Sequence, residues 1–535
     1  MSNTMKTRSL LLIAAVLLAW PALPTSAAAP ARLPNIVYIL ADDLGYGDVG
    51  CYNPATKIPT PHLDQLAANG VRFTDAHAPT SVCTPTRYAI LTGRYCWRSR
   101  LKQGVLAPWG ETLIEKGRPT VASLLKQHGY RTACIGKWHL GWEWPTRDGR
   151  PPQSGSDGLS NVDFTRPIAE GPTTHGFDYY FGTDVPNYPP YCFIENDRTV
   201  GIPSLPNRPE FNRPGPMLPG WRWVDIMPEL TRRAVKCVED SAKVSPRQPF
   251  FLYFPLTAPH YPVVPAAEFK GKSQAGDYGD FVAQVDWTVG QVLEAVRRTE
   301  IADNTLVIFT SDNGPEVTGE VTPGVYDRIR QYRHYSMGEL RGAKRDAWEG
   351  GHRVPMLACW PGKIRPACVS RETVCHVDLM ATVAVLLGVH LPDNAGEDSY
   401  NILPALLGQP LDHPIREATV HHSCNGHFAI RKGNWVFIDH PTGDDNREPQ
   451  WFKRERGYTV HHQPGELFDL CQDLPERRNL HGERPEIVRE LNGLLEKYKR
   501  EGRSAPGKPQ KSTADDAGGE IGSMSWSARN TVIGE

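Results

Sequence analysis

The sequence predicts an α/β fold built on buried parallel strands, and three observations carry that expectation. First, Asn35-Ile-Val-Tyr-Ile-Leu40, Pro249-Phe-Phe-Leu-Tyr-Phe254 and Asn304-Thr-Leu-Val-Ile-Phe309 are short, continuous runs of apolar residues. Such runs mark strands covered on both faces, where alternation with polar residues would mark a half-exposed sheet. Second, stretches with helical periodicity lie between them, as parallel crossovers require. Third, two of the strands end in oxygen-rich loops, Ala41-Asp42-Asp43 and Thr310-Ser311-Asp312-Asn313-Gly314. Open α/β sheets bind ligands at that edge.

Taken in order, residues 1–28 read as a secretory signal. Lys6 and Arg8 are its charged start, Leu10 to Trp20 its apolar run, and Ser26-Ala27-Ala28 its small-residue cleavage site. An uncleaved anchor is the alternative, although the run falls short of the about 20 residues that span a bilayer. After the first strand, the adjacent carboxylates of Asp42 and Asp43 repel unless a cation or donors lie between them; the plain alternative is a solvated turn. Thr60-Pro61 starts a helix that Gly70 ends. Val71-Arg-Phe73 then leads to Cys83-Thr-Pro-Thr-Arg87-Tyr-Ala-Ile-Leu-Thr-Gly-Arg94. A cysteine at a helix start, with Arg87 one turn on, has two reasons for a lowered pKa and a nucleophilic role. The competing reading is a buried packing thiol.

A helix from Thr120 to His128 and a strand from Thr132 to Ile135 precede Gly136-Lys137-Trp138-His139. Alternation puts Lys137 and His139 on one face, with the indole on the other, as an anion-binding pair or as plain solvated or satisfied residues. Residues 144–170 and 185–223 read as loops at a functional rim. The aromatics of the segment from Gly171 to Gly182 read as core. A helix from Pro228 to Val244 leads to the second long strand and to His260, which Pro259 and Pro262 stiffen; a surface histidine is the alternative. A helix covers Tyr278 to Arg298. Together Asp42, Asp43, Asp312 and Asn313 offer three carboxylates and an amide oxygen, a hard set suited to calcium or magnesium. Residues 316–337 read as a polar loop. Lys344 after Gly342 suits an anion-binding ammonium, Arg345 a salt bridge or rim, and Arg353 a structural role. After a helix from Asp378 to Leu387, the first part is complete by about Gly396. Strands follow at Phe428–Arg431, Asn434–Phe437 and Gly465–Leu470, then a charged amphipathic helix from Glu486 to Lys499.

The chain has 535 residues, 59 Lys+Arg against 60 Asp+Glu, and a net charge of -1. No overall field therefore steers nucleic acid or an anionic membrane, and an anionic substrate needs a local basic pocket. The 11 cysteines show no metal-type spacing, so neither zinc nor a particular disulfide is assigned.

Cys83-x-Pro85-x-Arg87 followed by Leu91-Thr-Gly-Arg94 resembles the signature of type I, formylglycine-dependent sulfatases. Thr86 stands where that family usually has serine. The run from Gly271 through Asp280, with Asp286 and Gly290 beyond it, is similar to the N-acetylgalactosamine-6-sulfatase branch. The resemblance implies an alkaline-phosphatase-like sandwich with a mostly parallel mixed central sheet over residues 33–396. It also implies a smaller C-terminal α+β subdomain with an antiparallel sheet over 415–503; beyond it, 504–535 has Ser, Gly, Asp and Lys without pattern and reads as a flexible tail. The resemblance implies that Cys83 becomes Cα-formylglycine through a formylglycine-generating enzyme. One calcium ion would be held by Asp42, Asp43, Asp312 and Asn313 and would touch position 83. Arg87 and Lys137 would steady the hydrated formylglycine. Lys344 with His260 would serve the sulfate and the leaving oxygen, and His139 would take a proton. The expected substrate is a sulfated carbohydrate or an aryl sulfate, met in the periplasm or outside the cell, with no membrane span after signal cleavage and no nucleic acid. Tyr191, Arg333 and His422 are expected at the substrate rim. The alternatives are a phosphodiesterase or phosphonate monoester hydrolase of the same superfamily, and a sulfoglycan-binding protein without turnover if Cys83 stays unmodified.

Overall fold

The strand Asn35–Asp42 is buried along all 8 residues and divides two cores. Ile36, Tyr38 and Leu40 enter one, beneath the helices Cys83–Thr92, Val121–Gln127 and Leu379–Leu387. Val37, Ile39 and Ala41 enter the other, beneath Pro61–Ala68, Ile226–Val244 and Gly276–Arg298. Each such aliphatic side chain contributes about 1.5–3 kcal/mol by leaving water, and burial on both faces is why the run carries no polar alternation. The computed structural model describes residues 32–207, 213–244, 248–318 and 322–510; the expected signal segment 1–28 and the residues from 511 onward lie outside that set.

Among the described residues the main sheet has 10 strands, with Cys368–Ser370 at one edge beside Val71–Phe73, and the five at its centre are parallel, in the order Thr305–Ser311, Asn35–Asp42, Phe250–Pro259, Arg131–Lys137 and Tyr179–Thr183. The flanking strands join by antiparallel pairings, Met356–Cys359 and then Val71–Phe73 on one side, Ile194–Glu195 and then Arg198–Thr199 on the other. This is the mixed, mostly parallel sheet between helices that the sequence predicts. The region 185–223 is not a plain loop, because those two short strands extend the sheet and Leu205–Asn207 pairs with Gly215–Met217. Nor is 316–337, which holds the helix Val325–Tyr332 with Arg333 as its left-handed C-cap at φ 53°.

Thr60 does not cap the helix Pro61–Ala68; its hydroxyl accepts from Gly50 N and donates to Asp64. The first-turn helix amides of His62 and Leu63 donate instead to Asp286, at 3.2 and 2.8 Å. Gly290 makes room for the His62 ring, which a Cβ there would meet at 2.6 Å. Asp280 likewise accepts from Gly271 N and Ser273 N. The segment that resembles the N-acetylgalactosamine-6-sulfatase branch thus ties helices and turns together.

The second sheet is antiparallel, in the order Thr419–His422, Phe428–Lys432, Trp435–Ile438 and Glu466–Asp469, with the helix Pro485–Glu501 against it. Residues 504–510, expected as the start of a tail, are held at their beginning: Ser504 N donates to Asp398 at 2.9 Å, and Ala505 is buried. The eleven cysteines are unbridged. Among the described residues no helix is long and apolar enough to cross a membrane.

Where the second sheet meets the main body, His77, His352 and His421 are buried together. The rings of His352 and His421 stack at 4.0 Å, and His77 Nδ1 lies 3.1 Å from His352 Nδ1. Asp75, Glu349, Arg353 and Arg431 surround them. Burial lowers His352 to about 3 and holds His421 well below the usual range. Unfolded histidine titrates near 6.5, so below that pH the unfolded chain binds more protons than the folded one. Stability is therefore full above about pH 6.5 and falls as pH drops toward 3. His421→Gln, which deletes one of these titrations, should lessen the fall by up to about 1.4 kcal/mol per pH unit. Urea midpoints between pH 7 and 5 measure this, and an unchanged slope would contradict it.

Candidate active site

The site forms where three parallel strands end. Ala41 pairs with Ser311 and Asp42 with Pro259, so Asp42-Asp43, Asp312-Asn313 and His260 leave the sheet side by side. Asp43 turns the chain in the left-handed region at φ 68°. Gly45 follows where a Cβ would sit 2.1 Å from Ser336 O. Asp43 N donates to Asp312 Oδ1 at 3.2 Å, Leu44 N to Ser311 Oγ at 3.0 Å, and Asn313 Nδ2 to Asp43 Oδ1 at 2.8 Å.

Cations close around these carboxylates. Arg87 lies one turn after Cys83 on the helix Cys83–Thr92, which Gly93 ends at φ 67°. Its Nη2 is 2.6 Å from Asp312 Oδ2 and 3.4 Å from Asp42 Oδ1, and its Nη1 donates to Lys137 O. Lys137, the last residue of its strand, places Nζ 2.8 and 3.1 Å from the two oxygens of Asp42. Lys344 Nζ is 2.8 Å from Asp43 Oδ2 and 3.2 Å from Glu316 Oε2. His260 Nδ1 donates to Tyr261 O at 2.6 Å, and its Nε2 is 3.9 Å from Asp43 Oδ2. Cys83 Sγ lies 3.7 Å from Asp42 Oδ1.

The structure therefore gathers Asp42, Asp43, Cys83, Arg87, Lys137, His260, Asp312, Asn313 and Lys344 into one cluster. His139 sits beside it, under the charges of Lys137 and Arg87. The simple alternation of Lys137 and His139 does not hold, because His139 adopts φ 54°. Its amide donates to Asp184, its Nε2 meets Leu106 O at 3.2 Å, and its Nδ1 is buried without a partner. Two of the three expected rim residues are interior: Tyr191 hydrogen-bonds Asn187 O and Arg213 O, and His422 is buried in its strand. Tyr191 lies at a bridge to Met217 and His422 pairs with Phe428 in the second sheet, and neighbouring chain covers both side chains. Glu316 and Asp184 escaped the sequence reading, since a single acid in a polar loop carries no local signal.

Burial dominates the protonation of the site. It pushes the Cys83 thiol well up, outweighing Lys137 and Lys344. The expected lowering fails because Arg87 is already paired with two carboxylates and the helix end is dry. Burial would also raise Asp42, but Lys137, His260, Arg87 and Lys344 together hold it well below the usual range. Burial and the charge of Asp42 push Asp312 up to about 7. Burial and Lys137 lower His260 to about 4, while burial, Lys137 and Arg87 keep His139 neutral. The residues fit a hard divalent cation. Asn313 Oδ1 is buried without a partner, and Asp42, Asp43, Cys83 and His260 offer ligand atoms within 4.8 Å of one another. A cation there would satisfy that oxygen and relieve the repulsion felt by Asp312.

A profile of the sulfatase family matches residues 34–389. The chain belongs to the sulfatase family. It is 35% identical over 505 residues to the N-acetylgalactosamine-6-O-sulfatase of Bacteroides thetaiotaomicron, covering 87% of this chain and 93% of that protein. It is also 35% identical over 481 residues to human arylsulfatase A, covering 87% and 88%. A solved structure described under the metabolism of multiple glycosaminoglycans by Bacteroides thetaiotaomicron is 33% identical, with a TM-score of 0.74 over 88% of this chain and 100% of that one. This sulfatase is thus an enzyme of the sulfuric ester hydrolase class.

After chelation, a calcium salt at a hundred times its Kd should stabilise the folded enzyme by about 2.7 kcal/mol, seen as a rise in Tm. Asp312→Ala should remove most of that rise. Equal shifts in both proteins, or none in either, would contradict a cation at these residues.

Proposed function

We propose that this sulfatase hydrolyses sulfate esters of sulfated glycans, using a Cα-formylglycine made from Cys83 and one calcium ion held by Asp42, Asp43, Asp312 and Asn313. The observation that carries the reading is the place of Cys83, 3.7 Å from Asp42 within a buried set of carboxylates matched by Arg87, Lys137 and Lys344. A glycan substrate is supported by the relative named for N-acetylgalactosamine 6-O-sulfate chemistry and by the structure described under glycosaminoglycan metabolism. Residues 1–28 would direct export, and a formylglycine-generating enzyme would act on Cys83 before folding buries it.

Bound calcium supplies positive charge that polarises a sulfate group, and the hydrated formylglycine supplies a nucleophilic hydroxyl with a second one on the same carbon. The chain's own residues do the remaining work. Arg87, tied to Asp312 and to the Lys137 carbonyl, and Lys137, tied to Asp42, hold fixed positive charge beside position 83. Lys344 offers Nζ protons to sulfate oxygens, as a donor whose position is set before substrate arrives. His260 donates Nδ1–H to Tyr261 O, which leaves Nε2 as an acceptor 3.9 Å from Asp43; it must first take up a proton there before it can pass one to the leaving oxygen. His139 is neutral with Nδ1 unpartnered, so it can accept a proton from position 83.

Cys83→Ala should lower turnover of an aryl sulfate by about 10⁴-fold or more with the fold retained. Cys83→Ser should be nearly as inactive, because serine has no second hydroxyl. Multiple turnovers by the serine variant would contradict the scheme, as would an intact-peptide mass showing unmodified cysteine in active enzyme. Rates on defined sulfated sugars and on matched phosphate esters check the substrate class; faster phosphate-ester cleavage would favour a phosphodiesterase.

A further inference from the structure

We propose that Glu316 is a positioning residue for Lys344, and that with Arg345 and Asn446 it forms a clamp through which the C-terminal subdomain helps to set the sulfate-binding ammonium. The inference rests on the reading that Lys344 meets sulfate.

Lys344 carries a point charge on a flexible four-carbon stem. Paired with Asp43 alone, its ammonium would settle on a carboxylate that the site also offers to a cation. Glu316 gives it a second anchor at 3.2 Å, set against the 2.8 Å contact with Asp43. Glu316 cannot swing to follow the lysine. Val317 N and Thr318 N donate to its Oε1 at 2.8 and 2.9 Å, and Arg345 grips both of its oxygens. Arg345 Nε donates in turn to Asn446 Oδ1 at 2.9 Å, and Asn446 Nδ2 donates to Lys344 O at 2.7 Å. Asn446 belongs to the chain beyond the strand Trp435–Ile438 of the second sheet. The clamp therefore fixes Lys344 at both ends, ammonium and backbone.

Two features fit an anion site better than a plain surface ion pair. Arg345 neutralises Glu316, so the clamp orients a cation without adding net negative charge where sulfate must bind. Arg345 itself sits in the left-handed region at φ 83°, a conformation unfavourable to a long side chain. Hydrogen bonds on both sides of the residue hold it there: Arg345 N donates to Ser81 O at 2.9 Å and accepts at its carbonyl from Cys424 N at 3.0 Å. Ser81 lies two residues before Cys83, so the same residue steadies the turn that delivers position 83.

The test is a double-mutant cycle on kcat/KM for an aryl sulfate, with Glu316→Gln and Lys344→Ala alone and together. If Glu316 acts through Lys344, Glu316→Gln should lower kcat/KM on the order of tenfold to a hundredfold in the natural background. In the Lys344→Ala background it should cause no further loss. Inhibition by inorganic sulfate should weaken in Glu316→Gln in the same way. Asn446→Ala, which reaches Lys344 from the other side, should give a smaller loss that also disappears with Lys344→Ala; it decides the matter if Glu316→Gln melts early. The same factor in both backgrounds, or no loss from either variant, would overturn the clamp. Failure of the natural enzyme to turn over any sulfate ester would instead overturn the sulfatase reading beneath it.

Discussion

Everything at the active site depends on three carboxylates being buried side by side and neutralised there. Charges taken out of water are costly unless paired and hydrogen-bonded, and Asp42, Asp43 and Asp312 are each fully buried. The parallel register of two strands brings them together, and Arg87, Lys137 and Lys344 offset them. The arrangement is shared: Arg87 touches two of the acids, and Asp42 is met by two of the cations. Loss of one member therefore leaves more than one partner uncompensated. Asn313 Oδ1, left without a partner, marks the point at which the protein's own atoms do not complete the set.

The same burial bears on the chemistry of Cys83. A thiolate is the nucleophilic form of cysteine, yet this thiol is held protonated in a dry site despite its place at a helix start. The unmodified side chain is thus poorly suited to attack. That agrees with the proposal that the working group at position 83 is a different one.

The C-terminal sheet is more than cover. Its first strand bridges to Thr80 just ahead of Cys83, Cys424 meets Arg345, and Asn446 holds the backbone of Lys344. The His77, His352 and His421 group lies on the same junction. A chemical centre built from the main sheet is in this way steadied by residues from the end of the chain.

The amino-acid sequence by itself determined the buried strands, because an apolar run covered on both faces has no other reading at that length. It determined a helix start at Cys83 with Arg87 one turn on, and the two oxygen-rich strand ends, all of which are local patterns. Lys137, His139, His260 and Lys344 were legible mainly through resemblance, since one basic residue beside a glycine or proline is weak evidence alone. Only the tertiary structure decided the direction of the thiol pKa, the inward packing of Tyr191 and His422, the role of Asp286 in capping a distant helix, and the place of Glu316. Each of these turns on who lies next to whom across hundreds of residues, as when Asn313 meets Asp43 from 270 positions away. Pair distances and the loss of water set those energies, and neither quantity is written in a local stretch of sequence.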